Sequence, residues 1–149
     1  MGRYEQEQTP ALEVIGKFLR LYRYLRRYSR EIHRAGLRGR EVASLRYLLE
    51  SEPLTIGQIA DYLFICTSTA SELVSRMEDA GHVARRRSKE DCRVVYVELT
   101  ASGRELAEEL PLGGIPLLRE KLKTLPPEHL ARYDRCFSDL LEHMEIGDA

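Results

Sequence analysis

Residues 54–100 read LTIGQIADYLFICTSTASELVSRMEDAGHVARRRSKEDCRVVYVELT, and the order of elements in this stretch decides the fold. Ala70, Leu73, Val74 and Met77 fall at i, i+3, i+4 and i+7, which is one apolar face of an α-helix. Thr67, Ser68, Ser71, Glu72, Ser75 and Arg76 occupy the other face, small hydrogen-bonding side chains gathered toward the N-terminus. Thr69 and Glu72 have the spacing of a capping box, with Cys66 and Thr67 as alternative caps, and Gly81 suits a left-handed C-cap. The preceding helix, Thr55 to about Leu63, buries Ile56, Ile59, Ala60 and Leu63 at helical spacing. Two short amphipathic helices so joined make a helix-turn-helix.

The residues that follow sharpen that motif. Val83–Arg87 and Val94–Leu99 are β-prone, and in the second run Val95, Val97 and Leu99 alternate with Val94, Tyr96 and Glu98. A charged tip, SKEDCR, separates them, and Thr100 caps the next helix, TASGRELAEEL. Helix-turn-helix, hairpin and helix in this order predict a mainly α protein with a two-stranded hairpin wing, a module that reads DNA.

The same residues carry a family resemblance. L-T-x-x-x-I-A-x-x-L from Leu54 to Leu63 is followed by S-T-A-S-x-L-V-x-R-M-E-x-x-G-H-V, by D-x-R at Asp91 and Arg93, and by L-T-x-x-G from Leu99 to Gly103. This set resembles the MarR family (multiple-antibiotic-resistance regulators) over roughly residues 37–110, including GLRGREVASLRYLLESEPLT upstream. Two positions depart from the pattern: Arg38 stands where the family offers a Ser or Thr cap, and Ser88 where an acidic residue is common.

Charge is unevenly spread along the 149 residues, whose net charge is −1. Lys17–Arg40 holds nine basic residues and one acidic, Glu31, whereas Glu98–Asp148 holds eleven acidic and six basic. A basic end and an acidic end point to a nucleic-acid face and a separate partner or solvent face. The polar start, MGRYEQEQTP, is no secretory signal, and no apolar run reaches spanning length. Three widely spaced cysteines speak for a reducing cytoplasm rather than a disulfide framework. No zinc-ligand spacing or phosphate loop is present, so no cofactor is expected. His33, His82, His129 and His143 lie on separate elements, which makes the enzyme class weak. A protein-binding winged helix would want an uncharged wing and an apolar recognition face, and neither is present.

Three segments follow from the pattern: a tail and dimerisation helix at 1–36, the winged helix-turn-helix at 37–103, and C-terminal dimerisation helices at 104–149. Residues 1–9 read as a loose tail, and a long helix runs from about Ala11 to His33. One of its faces collects Val14, Phe18, Leu21, Leu25 and Ile32, and a second Leu12, Ile15, Leu19 and Tyr22. A third stripe, Arg20, Arg23, Arg27, Arg30 and Arg34, is either a solvated face or one turned to phosphates or an acidic helix. Pro111, Gly113, Gly114 and Pro116 predict a break at PLGGIP, since an uninterrupted helix through them costs several kcal/mol (about 3 for each interior Pro). A short helix from Leu117 and a last one from Glu128 to Met144 follow, the latter with Leu130, Tyr133, Phe137, Leu140, Leu141 and Met144 on one face. That face and the first helix are candidates for a dimer layer.

The predicted function is a homodimeric, sequence-specific transcriptional regulator, with repression as its expected mode, acting on a pseudo-palindromic operator. Thr67, Ser68, Thr69, Ser71 and Ser75 are placed to meet phosphates or base edges, and Arg76 to pair with phosphate or guanine. Arg85, Arg86, Arg87 and Lys89 would supply salt-dependent affinity. The resemblance implies that Arg93 enters a minor groove while Asp91 holds its guanidinium. It also implies a small aromatic effector, for which Tyr22, Tyr24, Tyr28 and Tyr47 are candidates against a plain core-edge role. Cys66, at the start of the recognition helix, is a candidate redox-sensing thiol or a small structural residue.

Overall fold

The computed structural model describes residues 10–147, so the N-terminal tail at 1–9 lies outside the described residues. The chain divides into two compact units, 1–115 and 116–149.

The first unit begins with α1 (Pro10–Arg34) and α2 (Gly39–Ser51). Tyr28 and Ile32 of α1 are buried, while its N-terminal half leaves Leu12, Val14, Ile15 and Phe18 at least half exposed. The C-terminal end of α1 is thus core and the N-terminal end an uncovered apolar surface. On α2, Val42, Leu45 and Leu48 are fully buried. Its N-cap is Arg38, and Glu41 compensates for the missing Ser or Thr by accepting the Arg38 amide N–H at 2.9 Å.

Strand β1 (Leu54–Thr55) runs into α3 (Ile56–Leu63), then α4 (Thr67–Asp79), β2 (Val83–Arg87), β3 (Val95–Leu99) and α5 (Ala101–Glu109). The expected two-stranded hairpin is present as β2 and β3, and a short third strand joins it in the order β1-β3-β2, because Leu54 and Thr55 pair with Val97 and Tyr96. β2 and β3 are antiparallel with Arg85 opposite Val97. Val97 is fully buried and joins Leu54, Ile59, Val74, Met77 and Val83 in a core shared by helices and sheet. Glu52 ties the sheet to α5: its carboxylate accepts the Leu99 amide N–H at 2.8 Å and pairs with Arg104.

The capping chemistry follows the sequence at α3, where Thr55 and Gln58 form a reciprocal capping box. At α4 it does not. The helix starts at Thr67 with Cys66 as N-cap, so Thr69 and Glu72 lie within the helix and form no box. The break at PLGGIP is real but shorter than expected. α5 ends at Glu109, and α6 (Gly114–Lys123) already contains Pro116 in its first turn, where a missing N–H costs nothing.

In the second unit, α7 (Pro127–His143) has no buried residue, and Leu130, Tyr133, Phe137, Leu140, Leu141 and Met144 are all exposed. No helix among the described residues is long and apolar enough to cross a membrane, and no group of metal-ligating side chains occurs among them.

Candidate nucleic-acid interface

The recognition helix is built by burial of one face. Ala70, Leu73, Val74 and Met77 are buried, which leaves Thr67, Ser68 and Glu72 exposed and Thr69, Ser71 and Ser75 half-buried. The exposed N-terminal turn offers hydroxyls and free backbone N–H groups, the equipment for phosphate and base-edge contacts.

Four of the expected DNA contacts are already engaged within the chain. Arg76 lies 3.5 Å from the buried carboxylate of Glu41, so its guanidinium braces α4 against α2. Arg85 is wired into α4. Its amide N–H donates to Glu78 Oε1 at 3.0 Å, one guanidinium nitrogen pairs with Glu78 Oε2, and the other donates to Ser75 Oγ at 2.9 Å and the Ser71 carbonyl at 3.2 Å. Ser75 in turn donates to the Ser71 carbonyl at 3.0 Å. Ser75 and Arg85 are therefore a clamp between recognition helix and wing strand rather than free contact groups. Arg86 pairs with Glu98 across the hairpin. The sequence could not show these pairings, because the fold brings the partners together: α2 against α4 for Arg76, β2 back along α4 for Arg85, and β3 beside β2 for Arg86.

The wing tip corrects a further expectation. Asp91 Oδ1 accepts the backbone N–H of Arg93 at 2.9 Å, not its guanidinium. A short carboxylate two residues away closes onto the main chain more readily than onto a long side chain. Ser88 Oγ accepts the amides of Glu90 and Asp91, and the Ser88 amide donates to the Val94 carbonyl at 2.9 Å. The tip is thus held by Ser88 and Asp91, while Arg87, Lys89 and Arg93 project exposed without an ion-pair partner among the described residues.

The Cys66 thiol is exposed and lies 3.2 Å from Ser68 Oγ and 3.0 Å from Thr69 Oγ1. Hydrogen bonds from those hydroxyls, with the Thr69 amide, lower its pKa from an ordinary 9.0 to about 7. Cys92 and Cys136 are also free and exposed.

The candidate effector tyrosines each have a neighbour within the chain. Tyr28 is buried against the Gly113–Gly114 backbone, and its hydroxyl donates to the Pro111 carbonyl at 3.0 Å. Tyr47 stacks on Tyr62 at 3.9 Å, while exposed Tyr22 stacks on Phe18 at 6.3 Å beneath Arg26. Tyr24 accepts the Gly114 amide N–H at 3.1 Å.

A buried helix pair, a recognition helix with a polar outer face and a basic hairpin define a winged helix-turn-helix protein. The MarR family model matches residues 35–93. The uncharacterized HTH-type transcriptional regulator YsmB of Bacillus subtilis is 25% identical over 70% of this chain and 72% of its own length. The organic hydroperoxide resistance transcriptional regulator of the same organism is 36% identical, but over only 44% of this chain and 45% of its own length. A MarR family protein from Bacillus stearothermophilus superposes with a TM-score of 0.54 at 28% identity, covering 89% of this chain and 96% of that one. The match to the MarR family model is carried by the winged helix. Both Bacillus subtilis relatives are transcriptional regulators by name.

Proposed function

We propose that the chain acts as a homodimer that represses transcription by occupying a pseudo-palindromic operator. Each α4 enters a major groove, with Thr67, Ser68 and Ser71 at base edges and phosphates. Each wing lays Arg87 and Lys89 along the backbone, and Arg93 reaches into the minor groove, where narrow A·T-rich segments attract arginine. The observation that supports this reading best is the division of the arginines. Arg76, Arg85 and Arg86 are satisfied within the chain, and the cations left without partners among the described residues include the three at the wing tip. Dimerisation is supported by the uncovered apolar faces of α1 and α7. The test is selection of duplexes from random sequence, followed by titration at several salt concentrations. Half-sites about one helical turn apart are expected, and selection of no sequence at low salt would overturn the reading.

A second reading concerns control. Cys66 combines exposure, a lowered pKa and a place at the N-cap of the recognition helix, so its thiolate is set to attack a hydroperoxide. The thiolate takes the terminal oxygen to become a sulfenate and the O–O bond breaks to release an alcohol. The added oxygen disturbs the Ser68 and Thr69 contacts and releases DNA. Peroxide should abolish binding by wild type but not by Cys66→Ser, and equal responses would assign Cys66 a structural role.

A further inference from the structure

The two turns that bracket the recognition helix have the same hydrogen-bond pattern and different residues at the critical position. After α4, the His82 amide donates to the Met77 carbonyl at 2.9 Å and the Gly81 amide to the Glu78 carbonyl at 2.9 Å, with Gly81 at φ +78. After α3, the Ile65 amide donates to the Ala60 carbonyl at 3.1 Å and the Phe64 amide to the Asp61 carbonyl at 3.2 Å, with Phe64 at φ 53 and ψ 49. Both are the paired closure that terminates helices through a left-handed residue. Glycine adopts that conformation without penalty, whereas a side chain brings its Cβ against the following carbonyl.

Phe64 is therefore disfavoured by its backbone, and burial does not compensate. Its side chain is 90% exposed, the highest value among the large hydrophobic residues described. Nothing among the described residues accounts for a bulky aromatic at this position, and an unaccommodated outlier of this kind points to a role outside the fold. Its neighbours say where. Cys66, Thr67 and Ser68 are also exposed, and Thr67 opens the recognition helix three positions on, within about 10 Å of chain. The ring thus extends the surface that meets the major groove. The apolar partners at the edge of that groove are deoxyribose carbons and the thymine C5-methyl.

We infer that Phe64 is a DNA-contacting residue that packs its ring on a deoxyribose or a thymine methyl beside the recognition helix. This rests on the DNA reading above and adds to it a contact that the hydrogen-bonding face of α4 does not supply.

Phe64→Asn and Phe64→Gly test it, because both suit the left-handed turn and their effects on folding and binding have opposite signs. The melting temperature should rise by a few degrees, with helical content unchanged. Affinity for a duplex selected by the wild type should fall by about 10-fold, and Phe64→Tyr should bind nearly as wild type. Replacing single thymines by deoxyuridine then separates the two contacts. A loss in wild type that is absent in Phe64→Asn identifies the methyl, and no loss at any position identifies the sugar. Variants that are more stable and bind as tightly as wild type overturn the inference while leaving the DNA reading intact, as does a lower melting temperature, which would mean the ring is packed within the fold. If the wild type selects no duplex, the DNA reading itself fails and the inference with it.

Discussion

Tyr28 lies so close to Gly113 that a Cβ on that glycine would stand 2.3 Å from the ring's Cδ2. One on Gly114, itself at φ +60, would stand 2.5 Å from Cδ1. The glycines of PLGGIP therefore do more than interrupt a helix. They let the chain leaving α5 lie against an aromatic ring of α1, fixed by the Tyr28 hydroxyl on the Pro111 carbonyl. Burial raises the Tyr28 pKa above its ordinary 10.0, so the neutral phenol is the folded form.

Gly113→Ala should then destabilise the chain by about 1–3 kcal/mol through overpacking, and Gly114→Ala by more, since left-handed backbone adds about 1–2 kcal/mol. Tyr28→Phe should cost only about 1 kcal/mol, the value of one hydrogen bond. Because the folded phenol is raised, its contribution holds below pH 10 and is lost as pH climbs beyond it. Denaturant titrations at neutral and alkaline pH check all of these. A neutral Gly113→Ala would show that the loop has room to move.

Local pattern determined what was legible in the sequence. The Thr55–Gln58 box, the apolar face of α4 and the turn at Gly81 are decided within a few residues, and periodicity exposes them. The roles of the arginines are decided by partners that the fold brings near. Nothing in VARRR distinguishes Arg85, clamped to Glu78, from Arg87, which projects; alternation puts both on one face of β2, and only Arg85 is brought beside Glu78 by the return of β2 along α4. Tyr28 was equally opaque, because its glycine partners lie at the far end of the winged helix. Phe64 left a faint trace, as a helix end with no glycine or asparagine to close it.

Arg93→Glu should lower operator affinity by about 100-fold, with roughly 1–3 kcal/mol lost at each half-site, and leave helical content and oligomeric state unchanged. Wild-type affinity in a fluorescence titration would remove the wing tip from the interface.

Arg85→Ala separates clamp from contact. As a phosphate contact it would lower the salt slope by about one. As a clamp neutralised by Glu78 it should leave the slope unchanged, reduce stability by about 1–3 kcal/mol, and weaken binding through a displaced wing. Arg85→Lys should not rescue it, because an ammonium cannot reach Glu78, Ser75 and the Ser71 carbonyl from one planar fork. A reduced slope with unchanged stability would restore the phosphate role.

Cys66 should alkylate with a pH midpoint near 7 rather than near its ordinary 9.0. Ser68→Ala should move that midpoint upward, since the Ser68 hydroxyl is the largest contributor to the lowered pKa. The sign for folding is that of a depressed acid: the thiolate favours the folded state above pH 9, and that preference is lost as pH falls through 7. Iodoacetamide kinetics from pH 5 to 9 measure the midpoint, and a value matching an unfolded control would leave Cys66 an ordinary thiol.

The dimer prediction turns on exposure. Leu140 and Leu141 are 39% and 46% exposed on α7, so neither is needed for packing within its own chain. Leu140→Asp with Leu141→Asp should therefore leave secondary structure and the winged helix intact. In an interface the same carboxylates would be buried without partners, at a cost of several kcal/mol, on the order of 2–7 for even a neutral polar group, and the dimer should dissociate. Because two half-sites are bound together, operator affinity should collapse toward that of a single winged helix, with a smaller salt slope. Light scattering and a matched gel shift report the two effects independently. A double variant that remains a folded dimer would move the interface off this face of α7.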